Sequence, residues 1–152
     1  MPVAPKEVER RMARFEALCR REGFRRTHQR TAIFRELART DEHPDAETLY
    51  RQVHEQVPAV SRDTVYRTLA TLEDHGLVRR AEILGGPARY DANTERHHHF
   101  VCTVCGAVKD FRSEALDTLP IPRSAKALGR VDSAHVQVRG VCSDCLGRGD
   151  EP

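Results

Sequence analysis

The sequence contains no tryptophan and two methionines, and aromatic residues make up only 5% of it. With 39% hydrophobic residues against 32% charged, its 152 residues argue against one large core. Two small cores, at least one reinforced by a metal, fit better. No apolar run approaches the roughly 20 residues a membrane helix needs. The opening MPVAPKEVERR lacks the apolar centre of a secretory signal, so a cytoplasmic protein with no membrane partner is expected. Of five cysteines, four form two Cys-x-x-Cys pairs, Cys102/Cys105 and Cys142/Cys145, and Cys19 stands apart. In a reducing cytosol the cysteine pattern favours metal over disulfides.

The net charge of +2 is unevenly spread. Residues 1–40 carry 11 Lys and Arg against 5 acids, residues 41–92 carry 6 against 10, and residues 93–152 carry 8 of each. Positive charge at the front suits contact with a polyanion, though a solvated arginine-rich helix would look the same.

Helical spacing runs through EVERRMARFEALCRREG, with Met12, Phe15, Leu18 and Cys19 inward and Gly23 as the stop. Thr27, Asp45 and Ser61 are suited to cap three further helices. Their buried positions are Ile33, Phe34 and Leu37; then Leu49, Tyr50 and Val53; then Val65, Leu69 and Leu72. AEILGGPARYD reads as two short strands about a Gly-Gly-Pro turn. Helices followed by a small hairpin describe a winged helix-turn-helix. Its second motif helix, opening at Ser61, would enter the major groove of a double-stranded DNA operator. Outward Arg62, Thr64, Tyr66 and Arg67 would meet bases or phosphates, and Arg25 and Arg30 would hold the backbone. Arg30 has an alternative in an acidic neighbour.

The character changes after DANTER. The expected division is residues 1–91 as the DNA-binding domain, 92–96 as a hinge and 97–152 as a smaller metal-binding domain, an α+β chain overall. HHHFVC, GAVKDF and HVQVRGVC read as strands. Two Cys-x-x-Cys knuckles give a closed, tetrahedral all-sulfur set suited to structural zinc, tying the GAVKDF strand to the HVQVRGVC strand. That set leaves the histidines over. On a strand His97 and His99 share a face, with His98 opposite. Asp91, Asp110 and His43 are candidate co-ligands, and mixed nitrogen and carboxylate donors suit Fe(II), Mn(II) or Zn(II). A surface histidine tract with no metal remains the alternative.

The stretches GFRRTHQRTAIFREL, HPDAETLY, SRDTVYRTLATLEDHGLV, ARYD, HHHFVCTVCGAVKDF and GVCSDC together resemble the ferric uptake regulator superfamily. The resemblance covers nearly everything from residue 12 to 146. It implies a homodimeric, metal-responsive DNA-binding repressor with a C-terminal α/β dimerisation domain, and structural zinc on the four paired cysteines. The peroxide-sensing branch holds regulatory Fe(II) or Mn(II) with three histidines and two aspartates. His43, Asp91, His97, His99 and Asp110 match them. In that branch the resemblance implies that peroxide reacting at iron leads to oxidation of a ligand imidazole, His43 or His97. Iron-sensing relatives commonly carry Glu at the position of Asp91, His at that of Arg96 and an acid at that of His98. Zinc sensors add a cysteine near the hinge, and ANTER has none. THQR departs from many relatives, which have Pro where His28 stands. An iron-responsive regulator is the alternative within the class. A zinc hydrolase on His97, His99 and Asp91 would be an alternative outside it, but the sequence has no H-E-x-x-H or other catalytic signature.

Overall fold

A computed structural model describes residues 2–81 and 86–149. The chain forms two compact units, residues 1–94 and 95–152.

The first unit opens with α1 (Pro5–Glu22), which ends where Gly23 turns to φ +65°, a left-handed value that costs glycine little. Three helices follow: α2 (His28–Ala38), α3 (Ala46–Gln56) and α4 (Arg62–Asp74). Each begins at a side-chain cap, which satisfies an otherwise orphaned helix-start amide. Thr27 accepts from the Arg30 amide at 3.2 Å, Asp45 from Thr48 at 2.7 Å and Ser61 from Thr64 at 3.1 Å. The apolar stripes meet in one core built on Phe15, Phe34, Leu37, Leu49, Leu69 and Leu72. Phe15 and Phe34 stack with centroids 5.1 Å apart. Tyr50, expected inside with Leu49 and Val53, is only half-buried, and the Arg62 guanidinium covers its ring at 4.4 Å. Its hydroxyl gives it reason to stay near water.

Strands β1 (Arg79–Ala81) and β2 (Arg89–Asp91) pair antiparallel, with Arg80 opposite Tyr90. Part of the Gly-Gly-Pro turn expected between them lies outside the described residues. β2 has a second attachment. The Tyr90 amide donates to the Pro44 carbonyl at 3.0 Å, and Arg89 bridges Asp45. The wing strand is thereby tied to the segment that starts α3. Three helices with this hairpin make a winged helix-turn-helix.

The second unit contains β3 (His98–Cys102), β4 (Val108–Phe111), the short helices α5 (Glu114–Asp117) and α6 (Arg123–Lys126), β5 (Gln137–Gly140) and α7 (Ser143–Arg148). The sheet order is β4-β3-β5, antiparallel on one side of β3 and parallel on the other. The GAVKDF and HVQVRGVC strands are therefore not neighbours, because β3 lies between them. The cysteine pairs join the β3–β4 turn to the end of β5 and α7. Few apolar side chains are buried in this unit, chiefly Val101 and Val108. Val104, Leu119, Leu128, Val138 and Leu146 are exposed. Among the described residues no helix is long and apolar enough to cross a membrane.

Candidate metal centres and the exposed face of α4

Cys102 ends β3, Cys105 sits in the turn to β4, Cys142 precedes α7 and Cys145 lies within it. Their four sulfurs lie within 4.8 Å of one another. The Cys102–Cys145 and Cys105–Cys142 separations are 3.9 and 3.8 Å. Tetrahedral bonds of about 2.3 Å to zinc place sulfurs about 3.8 Å apart, so the set fits that ion. Backbone amides of Cys105 and Cys142 point at Cys102 Sγ from 3.5 and 3.3 Å. These two donors bring the Cys102 thiol down to about 6. The hydrogen bond to the Cys142 thiol, followed by burial and the other sulfurs, pushes Cys145 up to about 12. Left to themselves, four sulfurs this close resist shared ionisation; a divalent cation removes that conflict.

In the first unit His43 and Asp91 are both buried, with His43 Nε2 3.1 Å from Asp91 Oδ2. The other Asp91 oxygen accepts the Asn93 amide at 2.8 Å, which fixes the carboxylate's orientation. His43 has φ +54°, in the left-handed region that non-glycine residues seldom adopt.

In the second unit the register sets His99 directly opposite Asp110 across the β3–β4 ladder. His97, just before β3, completes a trio. Its Nε2 lies 3.1 Å from His99 Nε2, and Asp110 Oδ1 lies 3.4 and 3.3 Å from the two. Nδ1 of His97 is 2.6 Å from the Glu95 carbonyl. A carbonyl only accepts, so Nδ1 donates to it, and in the neutral ring Nε2 then turns its lone pair toward His99 and Asp110. Ligands on bonds of about 2.1 Å stand about 3.0 Å apart at right angles and about 3.4 Å apart in a tetrahedron, so this pair of nitrogens also fits a metal. His98 does other work. Buried and against Phe111, it donates from Nε2 to Asp117 at 2.9 Å, and Asp117 also takes Arg96 at 3.3 Å.

On α4, Tyr66 is exposed, and Arg62 and Arg67 project outward with it. Arg62 makes a two-pronged pair with Glu47 of α3, and Arg67 pairs with Asp63 one turn earlier. Thr64 shares a hydroxyl contact with Ser61 at 2.9 Å. Arg25 is exposed, while Arg30 donates to the Arg25 carbonyl at 2.8 Å and lies over Phe24 at 4.5 Å. Its partners are thus a carbonyl and a ring, where sequence alone raised an acid. Reading by residue type overlooked Glu95 and Asp117, which orient His97 and His98. Glu95 acts through its backbone, which leaves no sequence signal.

A winged helix-turn-helix unit followed by a mixed sheet with four convergent thiols defines a two-domain α+β protein with a closed, structural type of zinc site. The Ferric uptake regulator family model matches residues 21–138. The peroxide-responsive repressor PerR of Staphylococcus aureus strain Mu50 is 32% identical over 147 residues, 95% of this chain and 98% of that protein. A zinc-bound manganese uptake regulator is 35% identical, with a TM-score of 0.66 over 84% of this chain and 97% of its own. The Helicobacter pylori ferric uptake regulator Fur, 21% identical, shares the fold with a TM-score of 0.72 over 91% of this chain and 93% of its own. The chain belongs to the ferric uptake regulator family.

Proposed function

We propose that this protein is a cytoplasmic, homodimeric transcriptional repressor, not an enzyme, whose hold on a double-stranded DNA operator depends on an exchangeable Fe(II) or Mn(II) and is released by hydrogen peroxide. His43 and Asp91 of the first unit, with His97, His99 and Asp110 of the second, are the proposed ligands of that ion. The observation that carries the reading is the seating of His97, with Nδ1 at the Glu95 carbonyl and Nε2 beside His99 and Asp110. A ring fixed with its Nε2 lone pair toward a second imidazole and a carboxylate is prepared for a borderline cation. The thiol set is a separate group of ligands. Likeness to a peroxide-responsive repressor and the aspartate at position 91 favour the peroxide branch.

The protein's own part follows from its groups. Ligands drawn from both units restrict how the units move about the 92–96 hinge, so occupancy biases a population toward one DNA-binding arrangement. Arg62, Thr64, Tyr66 and Arg67 face the operator, with Arg25 and Arg30 on flanking phosphates. Phosphates take over the guanidinium groups that Glu47 and Asp63 hold in the free protein. The exposed apolar side chains of the second unit suit a dimer contact. Bound Fe(II) would supply the electron that activates peroxide beside the ligand imidazoles, and an oxidised imidazole is a poor ligand.

Response to iron availability alone is the second reading, favoured by the family itself. Treating the Fe(II)-loaded protein with peroxide and weighing its peptides separates the two. A one-oxygen gain on peptides containing His43 or His97, with loss of operator binding, is expected. Oxidation confined to thiols would remove peroxide sensing.

A further inference from the structure

We propose that Arg89 is a positioning residue for the exchangeable-metal site: its guanidinium holds the backbone of His43 in the left-handed turn that presents the imidazole to Asp91. The inference rests on the reading of His43 as a ligand.

His43 is the one non-glycine residue with positive φ among the described residues. A histidine stays there only where its surroundings hold it. Attachments to the wing strand and to the start of α3 do so. Arg89 Nη1 donates to the His43 carbonyl at 3.2 Å. The next carbonyl, of Pro44, accepts the Tyr90 amide at 3.0 Å. Asp45 then caps α3 and bridges Arg89 through the backbone.

The strand's alternation makes the arrangement more specific. Arg89 and Asp91 are two residues apart on β2, so their side chains leave from the same face. One strand face therefore takes hold of His43 at both ends, Arg89 at its carbonyl and Asp91 at its imidazole. Arg89 is half-buried and aimed at a carbonyl of its own chain. It would therefore tune metal affinity without being a ligand.

The test uses the full-length, zinc-loaded protein. Mn(II) binding is followed by electron paramagnetic resonance of the free ion, and ligand geometry by Co(II) absorption. R89M should bind Mn(II) about 10- to 100-fold more weakly and shift the Co(II) spectrum, as loss of an orienting partner does. Its zinc content and the melting of its helical unit should stay those of the native protein. R89K, which keeps a donor, should recover most of the affinity. If R89M does not fold, R89Q is measured in its place with the same expectation. Native Mn(II) affinity in the variant overturns the proposal, as does a lower melting temperature with an unchanged Co(II) spectrum. Weaker operator binding at saturating Mn(II), with metal affinity intact, would make Arg89 a DNA contact instead. The underlying reading fails separately if the native protein takes up no Mn(II) beyond its zinc, or if H43A binds it as well as the native protein.

Discussion

One proton decides what His97 can do. With Nδ1–H given to the Glu95 carbonyl, the neutral ring has a single acceptor left, and that acceptor faces His99 and Asp110. Asp91 divides its oxygens in a similar way, one for the Asn93 amide and one for His43. A longer side chain would disturb that division. D91E is therefore expected to bind operator in the presence of metal but to need more peroxide for release. Operator-binding titrations after graded peroxide doses measure this, and native sensitivity would remove Asp91 from the role. Arg67 offers a contrasting substitution. It is exposed, and its Asp63 partner lies on the same helix one turn away, a pairing of small worth to the fold. R67A should cost about 1–3 kcal/mol of operator binding and leave metal uptake alone. A parallel loss of metal would show that Arg67 is misplaced. The histidine and carboxylate types were legible in the sequence. The left-handed turn at His43 was not, since it depends on Arg89, 46 residues away.

Helix starts were the most legible elements, because a cap is a local contract between one side chain and an amide three residues on. Thr27, Asp45 and Ser61 all keep it. The placement of β5 beside β3 was hidden, because a parallel neighbour leaves no local periodicity and its partner lies far along the chain. Asp45 belongs to this scale, since it caps α3 and also meets β2. The Thr48 amide is the main force holding its carboxyl below the usual aspartate range, and nearby Arg89 adds to it. A carboxyl depressed in the folded state contributes stability above its unfolded value of about 3.9, and that contribution is lost as pH falls through the lower folded value. D45A should therefore destabilise the first unit by about 1 kcal/mol at neutral pH. The gap to the native protein should shrink below about pH 4. Urea unfolding followed by circular dichroism at several pH values reads this, and a pH-independent gap would take the charge out of the argument.

The two units differ in what holds them. The first has a continuous aromatic and aliphatic core. The second buries few apolar side chains and exposes several large ones, so its sheet depends on another bond. A metal on the four thiols joins the β3–β4 turn to the end of β5 across the 37 residues from Cys105 to Cys142. Closing a loop of that length removes unfolded-state entropy worth about 4 kcal/mol, treating the clip as a covalent cross-link. That is comparable to the whole stability of a small domain. C142S removes one of four ligands and leaves the rest of the chain unchanged. Its zinc should fall well below one ion per chain, and the second unit should melt out while α1 to α4 keep their helical signal. Scanning calorimetry should then show the helical unit's transition alone, and circular dichroism should keep the signal of the four long helices while losing that of the second unit's sheet and short helices. Stripping only the exchangeable ion with a mild chelator should have a different effect, leaving both transitions in place and weakening operator binding. A C142S chain that keeps its zinc and both transitions would show that the thiols are not what holds the second unit together.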